Sequence, residues 1–225
     1  MNKLILFGLF ITAMFLMSFN AAKKQKIIFL GDSITEAGAN AGGYIRLMES
    51  MLSKAGIADQ FELIGAGIGG NKIADLYLRL EHDVLSKSPD VVVIYIGIND
   101  VWHKKSAGTG TDLWKFEGFY DAIVKKIQAS GAKVVICTPT VIGERTDYSN
   151  DLDGELNMFS NNIRAFAKKN NLPLVDLRNA FLNYTLQHNP NNEEKGILTS
   201  DRVHLNAAGN QLVAEEMWKV LKAVK

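Results

Sequence analysis

Six consecutive apolar residues, Val91–Ile96 (VVVIYI), leave no polar side for water. At that length the run is a strand, and a strand apolar on both faces belongs in the middle of a parallel sheet covered on both sides. Lys26–Leu30 (KIIFL), Phe61–Ile64, Lys133–Cys137 and the shorter Leu172–Val175 read as four further strands. Between them, Gly42–Ala55 carries Tyr44, Ile45, Met48, Met51 and Leu52 on one side at helical spacing, and Ile73–Leu85, Leu113–Ala129 and Leu156–Lys169 also read as helices. Gly131 suits the C′ position after Ala129, and Asn206 suits the cap of a last helix reaching about Ala223. Strands alternating with helices of this length are βαβ units. The expectation is one domain over residues 23–225, a three-layer α/β/α sandwich around a five-stranded parallel sheet.

A chain of 225 residues with 47% hydrophobic content can bury a full core. Its net charge of +1 supplies no basic stripe, which argues against nucleic acid as a partner. The single cysteine, Cys137, excludes an internal disulfide and sits in an apolar run (KVVICT), the setting of a buried small hydrophobe. Residues 1–22 stand apart. Lys3 precedes an apolar run from Leu4 to Met17, followed by the small-residue stretch Ser18–Ala22, the pattern of a secretory signal peptide. The run falls short of the ~20 apolar residues of a comfortable membrane span. Export with cleavage near Ala22 or Lys23 is therefore expected, with no stable membrane insertion afterwards; retention as an anchor is the alternative.

In open parallel sheets ligands bind beyond the carboxyl ends of the strands. Here those ends are rich in glycine and polar side chains: Gly31-Asp32-Ser33-Ile34-Thr35 after the first strand, Gly65-Ala66-Gly67-Ile68-Gly69-Gly70-Asn71 at the second, and Gly97-Ile98-Asn99-Asp100 after the third. Asp201-Arg202-Val203-His204-Leu205-Asn206 precedes the last helix. These blocks hold the parts of an acyl-transfer site. Ser33 needs a base, which His204 supplies; His204 needs a carboxylate to hold its tautomer, and Asp201 is nearest in sequence. The N–H groups of Ser33 and Gly70 and the side chain of Asn99 suit an oxyanion hole.

Taken in order, GDSIT, GIGGN, GIND and DRVHLN resemble the ordered blocks of the SGNH, or GDSL-like, hydrolase superfamily. The resemblance covers essentially the whole chain after the leader. It implies a flavodoxin-like fold, Ser33 as nucleophile, His204 as base, Asp201 as its partner and Gly70 and Asn99 as oxyanion donors. The implied activity is serine-dependent hydrolysis of carboxylic esters through an acyl-enzyme, with no metal and no cofactor. Removal of acetyl or other small acyl groups from a small-molecule or polysaccharide ester fits an exported chain without a hydrophobic lid. Lysophospholipase or thioesterase activity on the same fold, and a non-catalytic sugar-binding module, are the alternatives. Oligomeric state is not legible.

Competing readings are weaker. Gly65, Gly67 and Gly70 also spell the dinucleotide fingerprint, but the acidic residue ending the next strand, Asp100, comes 35 residues after Gly65 instead of roughly 20. Asp32 and Asp100 read as structural turn residues. Trp102, His103 and Tyr148 stand in connections after strand ends and are the candidate substrate-binding residues. With Trp114, the aromatics among them either wall a pocket or fill the core beneath the loops. His82 and His188 belong to no metal-like set, and 189–195 reads as a solvated loop.

Overall fold

The protein is described by a computed structural model over residues 23–224; the expected leader, residues 1–22, lies outside the described residues. The strands are β1 (Gln25–Gly31), β2 (Phe61–Gly67), β3 (Val91–Tyr95), β4 (Lys133–Cys137) and β5 (Leu174–Val175). All pair in parallel, in the order β2-β1-β3-β4-β5. Among the described residues there are eight α-helices: α1 (Ser33–Gly38), α2 (Tyr44–Lys54), α3 (Ile73–Asp83), α4 (Ile98–Ser106), α5 (Leu113–Ala129), α6 (Asp153–Asn170), α7 (Leu177–His188) and α8 (Ala207–Leu221).

The helices form two layers. On one face α2 packs against α8. On the other, α3 packs against α5, and α5 meets α6 through Phe116 and Phe159, whose ring centroids lie 4.9 Å apart. Every residue of β3 is buried, as a strand covered from both sides requires. This is the flavodoxin-like order, and the chain reverses direction across the sheet between β1 and β3. Gly31 ends β1 level with Gly67 of β2 and Tyr95 of β3, so three loops leave the sheet together at the switch point. Gly67 has to be glycine for this: a Cβ there would lie 2.1 Å from the Glu36 backbone nitrogen.

β4 and α5 have the bounds read from the sequence, because an apolar run and a helical period are local signals. Other elements differ. β2 runs on through Gly65–Gly67, residues that weaken an isolated strand but here pair with Phe29–Gly31 of β1. β5 shrinks to two residues at the sheet edge. Residues 98–106, read largely as open connection, form α4: only its first four residues are buried, and the charged remainder hides the period. α7 buries Leu177, Phe181 and Thr185, a stripe in which a threonine replaces the expected apolar residue. Asn189, read as the start of a solvated loop, is buried and donates its amide to the Glu144 and Glu193 carbonyls at 2.8 Å each. Cys137 is fully buried, and burial pushes its thiol pKa up.

Candidate active site

Ser33 opens α1 immediately beyond β1. Asp32 occupies the cap position and accepts the Ile34 N–H at 3.0 Å, which leaves the Ser33 hydroxyl free of capping duty. Ser33 Oγ lies 3.0 Å from His204 Nε2, across 171 residues of sequence. His204 Nδ1 lies 2.7 Å from Asp201 Oδ2. The other Asp201 oxygen accepts the backbone N–H groups of Val203 (3.0 Å) and His204 (2.7 Å), so one carboxylate fixes both the turn and the ring. With Nδ1 donating to Asp201, Nε2 carries the lone pair and accepts the Ser33 O–H. Burial raises the Asp201 pKa, but hydrogen bonds from the His204 ring and the two backbone N–H groups outweigh it and hold the carboxyl below its usual value.

The β2–α3 loop folds over this chain. A Cβ on Gly69 would sit 4.0 Å from Ser33 Cβ, and one on Gly70 would sit 4.0 Å from His103 Cε1. Gly70 has φ +76°, a left-handed conformation that glycine adopts without strain. Its N–H makes no hydrogen bond to another described backbone group, and the Ser33 N–H, at the first position of α1, has no carbonyl partner within the helix. Asn99, buried at the start of α4, donates one amide hydrogen to the Asn71 carbonyl at 3.0 Å. An amide carries two, so the second is left over. A hydroxyl on an oriented imidazole beside unpaired N–H donors can activate a nucleophile and stabilise an oxyanion.

The candidate substrate residues fare differently. The Trp102 ring packs edge-on to His204 with centroids 6.4 Å apart, and the partly buried residue also packs against the core. His103 sits over Gly70; burial and then the Lys72 charge lower its pKa. Tyr148, at φ +65°, is 94% exposed, and Trp114 is 69% exposed, so neither fills the core.

Two carboxylates lie under the site. Burial raises the Asp32 pKa to about 7, opposed by the Ile34 N–H and reinforced by Asp100; burial likewise raises Asp100 to about 6. For Asp32 the folded state holds its proton more tightly than the unfolded chain, which releases it near 3.8. Stability is therefore lost as pH rises from about 4 to about 7. Asp32→Asn keeps the cap acceptor and removes this cost. The variant is expected to melt above wild type near pH 8, with the gain gone below about pH 4. A Tm difference that does not change with pH counts against the ionised Asp32 as its source.

Glu144 gave no sequence signal, because its partners are backbone groups. Buried at 1% exposure, it accepts the N–H groups of Ile197 (2.8 Å), Leu198 (2.6 Å) and Thr199 (2.7 Å). Nearby, Gly143 N donates to the Arg202 carbonyl at 2.8 Å. The loop after β4 thereby holds the segment that carries Asp201 and His204. Glu144→Ala strands two buried donors and a third that is part-buried, and is expected to lower the unfolding free energy by about 2–4 kcal/mol in urea titrations. A loss under about 1 kcal/mol would mean that other contacts hold the loop.

Among the described residues no group of three or more His, Cys, Asp or Glu side chains could hold a metal, and no helix is long and apolar enough to cross a membrane. Fold and site together define an α/β protein equipped for acyl transfer. The GDSL-like lipase/acylhydrolase family model matches residues 29–212, and the chain belongs to that family. It is an ester-bond hydrolase. An acetylxylan esterase from Geobacillus stearothermophilus is 27% identical over 206 residues, covering 84% of this chain and 90% of that protein. The crystal structure of an acetyl xylan esterase, AlAXEase, is 60% identical with a TM-score of 0.85, covering 86% of this chain and 98% of that one. LAE5, an alpha/beta hydrolase enzyme from the metagenome of Lake Arreo, Spain, is 26% identical with a TM-score of 0.78, over 89% and 96% of the two chains.

Proposed function

We propose that the protein removes acetyl groups from xylan or xylo-oligosaccharides, with Ser33 as nucleophile. The observation that carries this reading is the hydrogen-bonded chain Ser33–His204–Asp201 at the switch point of the sheet. His204 Nε2 takes the Ser33 proton as Oγ bonds to the acetyl carbonyl carbon. The oxyanion receives the N–H groups of Ser33 and Gly70 and the Asn99 amide. Collapse breaks the bond to the sugar oxygen, which leaves with the proton from His204, and Ser33 is acetylated. A water, deprotonated by His204, attacks the acyl-enzyme; acetate leaves and Ser33 regains its proton.

The two relatives named as acetylxylan esterases support the substrate. So does a cavity of about 200 Å³ lined by Trp102, Lys105, Ile142, Asp151, Leu152 and Arg202, whose Trp102 also packs edge-on to His204. An aromatic floor with a polar rim suits a sugar ring. In this reading Trp102 contacts the sugar, His103 lies over Gly70 on the oxyanion side, and the exposed Tyr148 lies further out. The leader read in residues 1–22 supports export. A mature N-terminus near Ala22 or Lys23 on the secreted or periplasmic protein is the outcome that export with cleavage requires, and a full-length chain in the cytosol counts against it.

The test compares acetate release from acetylated xylan with turnover of p-nitrophenyl acetate, butyrate and octanoate and of a lysophospholipid. Acetate release from xylan and a preference for acetyl over octanoyl are expected. Faster turnover of octanoate or of the lysophospholipid would overturn the substrate while leaving the serine chemistry standing.

A further inference from the structure

Arg79, on α3, touches none of the reacting groups, yet its guanidinium reaches the roots of the two loops that carry Ser33 and Gly70. Nη2 donates to the carbonyls of Gly31 (2.7 Å) and Ala66 (2.9 Å), Nε donates to Asn71 Oδ1 (2.7 Å), and Nη1 pairs with Asp83 (2.8 Å). The side chain is only 13% exposed. Gly31 ends β1 two residues before Ser33, Ala66 lies near the end of β2, and Asn71 follows Gly70. The Asn71 carbonyl is in turn the acceptor for the Asn99 amide. One planar group with donors in a fixed fork thus ties together the two turns that carry the Ser33 and Gly70 N–H groups, and through Asn71 the third donor.

We propose that Arg79 is a positioning residue for the oxyanion hole. The inference rests on the reading of Ser33, Gly70 and Asn99 given above. Pinning the helix to the sheet accounts for the Gly31 and Ala66 carbonyls at the strand ends, but not for the bond to Asn71, which lies in the loop between Gly70 and α3 and accepts the Asn99 amide. A lysine keeps the charge, but one ammonium cannot span two carbonyls, an amide oxygen and a carboxylate at once. A displacement of about 1 Å in such donors costs about 100-fold in rate.

The experiment uses the folded, full mature chain with Arg79→Lys and Arg79→Ala. kcat and KM for p-nitrophenyl acetate are expressed per Ser33 titrated with a fluorophosphonate, so that unfolded molecules do not count. Affinity is measured for an aliphatic trifluoromethyl ketone, which adds reversibly to the serine and places an oxyanion in the hole. In both variants kcat per site is expected to fall about 100-fold, KM to stay within about threefold, and ketone affinity to fall in parallel with kcat. If Arg79→Ala does not fold, Arg79→Lys decides. The proposal is overturned by kcat per site within about threefold of wild type, by a loss confined to KM, by a loss explained by fewer titratable sites, or by ketone affinity unchanged while kcat falls. Ser33→Ala run alongside separates the two readings. Ser33→Ala turnover within about tenfold of wild type sinks the site itself, whereas a Ser33→Ala loss of about 10⁴-fold or more beside wild-type kinetics in the Arg79 variants sinks only this inference.

Discussion

Ser33→Ala is expected to lower kcat/KM for p-nitrophenyl acetate by about 10⁴- to 10⁶-fold. No other hydroxyl is hydrogen-bonded to His204 Nε2 among the described residues, so the acyl-enzyme route closes. A residue of activity above water survives in such variants, because the oxyanion donors and the base can still assist direct attack by water. The substitution does not remove a cap, since Asp32 accepts the Ile34 N–H at the start of α1. Thermal unfolding should therefore stay close to wild type, as for other surface replacements away from special contacts. Steady-state kinetics on protein shown to be folded by circular dichroism make the check. A variant within tenfold of wild type would exclude Ser33 as the nucleophile.

His204→Ala is expected to cost a similar factor, and Asp201→Asn about 10³–10⁴ in kcat. The asparagine is the more informative of the two. Its oxygen can still accept the Val203 and His204 N–H groups, so the turn persists. Its amide would point hydrogens at Nδ1, which must then carry the lone pair. The ring proton moves to Nε2, facing the Ser33 hydroxyl it should deprotonate. The loss is one of tautomer and not of structure: kcat falls, KM and the melting temperature hold. Asp201 is 51% exposed, so water can partly replace it, which places the expected effect below that of the other two. A melting temperature that fell along with kcat would point instead to a collapsed Asp201–His204 turn.

Residue type and local pattern carried most of the fold and the chemistry. β3 and β4 are continuous apolar runs, α5 is a strict helical period, and Asn206 caps α8 by accepting the Gly209 N–H at 3.0 Å. Each is a signal contained within a few residues. Ser33, Gly70 and Asn99 are candidates on a related ground, since they stand in glycine-marked turns after strands, while Asp201 and His204 are candidates by residue type and by their spacing just before the last helix. α4 and α7 were less legible, because buried Asn99, Asp100, Arg178 and Thr185 interrupt their apolar faces.

What the chain alone determined was which elements form and which side chains offer chemistry. Tertiary structure decided how far apart those side chains finish. Insertion of β1 between β2 and β3 sets the Ser33, Gly70 and Asn99 turns side by side, and the return of the last loop brings His204 within 3.0 Å of Ser33. It also decided the supports. Glu144 binds three backbone N–H groups, and Arg79 binds two backbone carbonyls beside Asn71 and Asp83; backbone groups are common to every residue type, so those partners leave no trace in the identity of neighbouring residues. The raised pKa values of Asp32 and Asp100 have the same origin: burial is a property of what packs around a carboxyl, and only the assembled sheet and loops supply it.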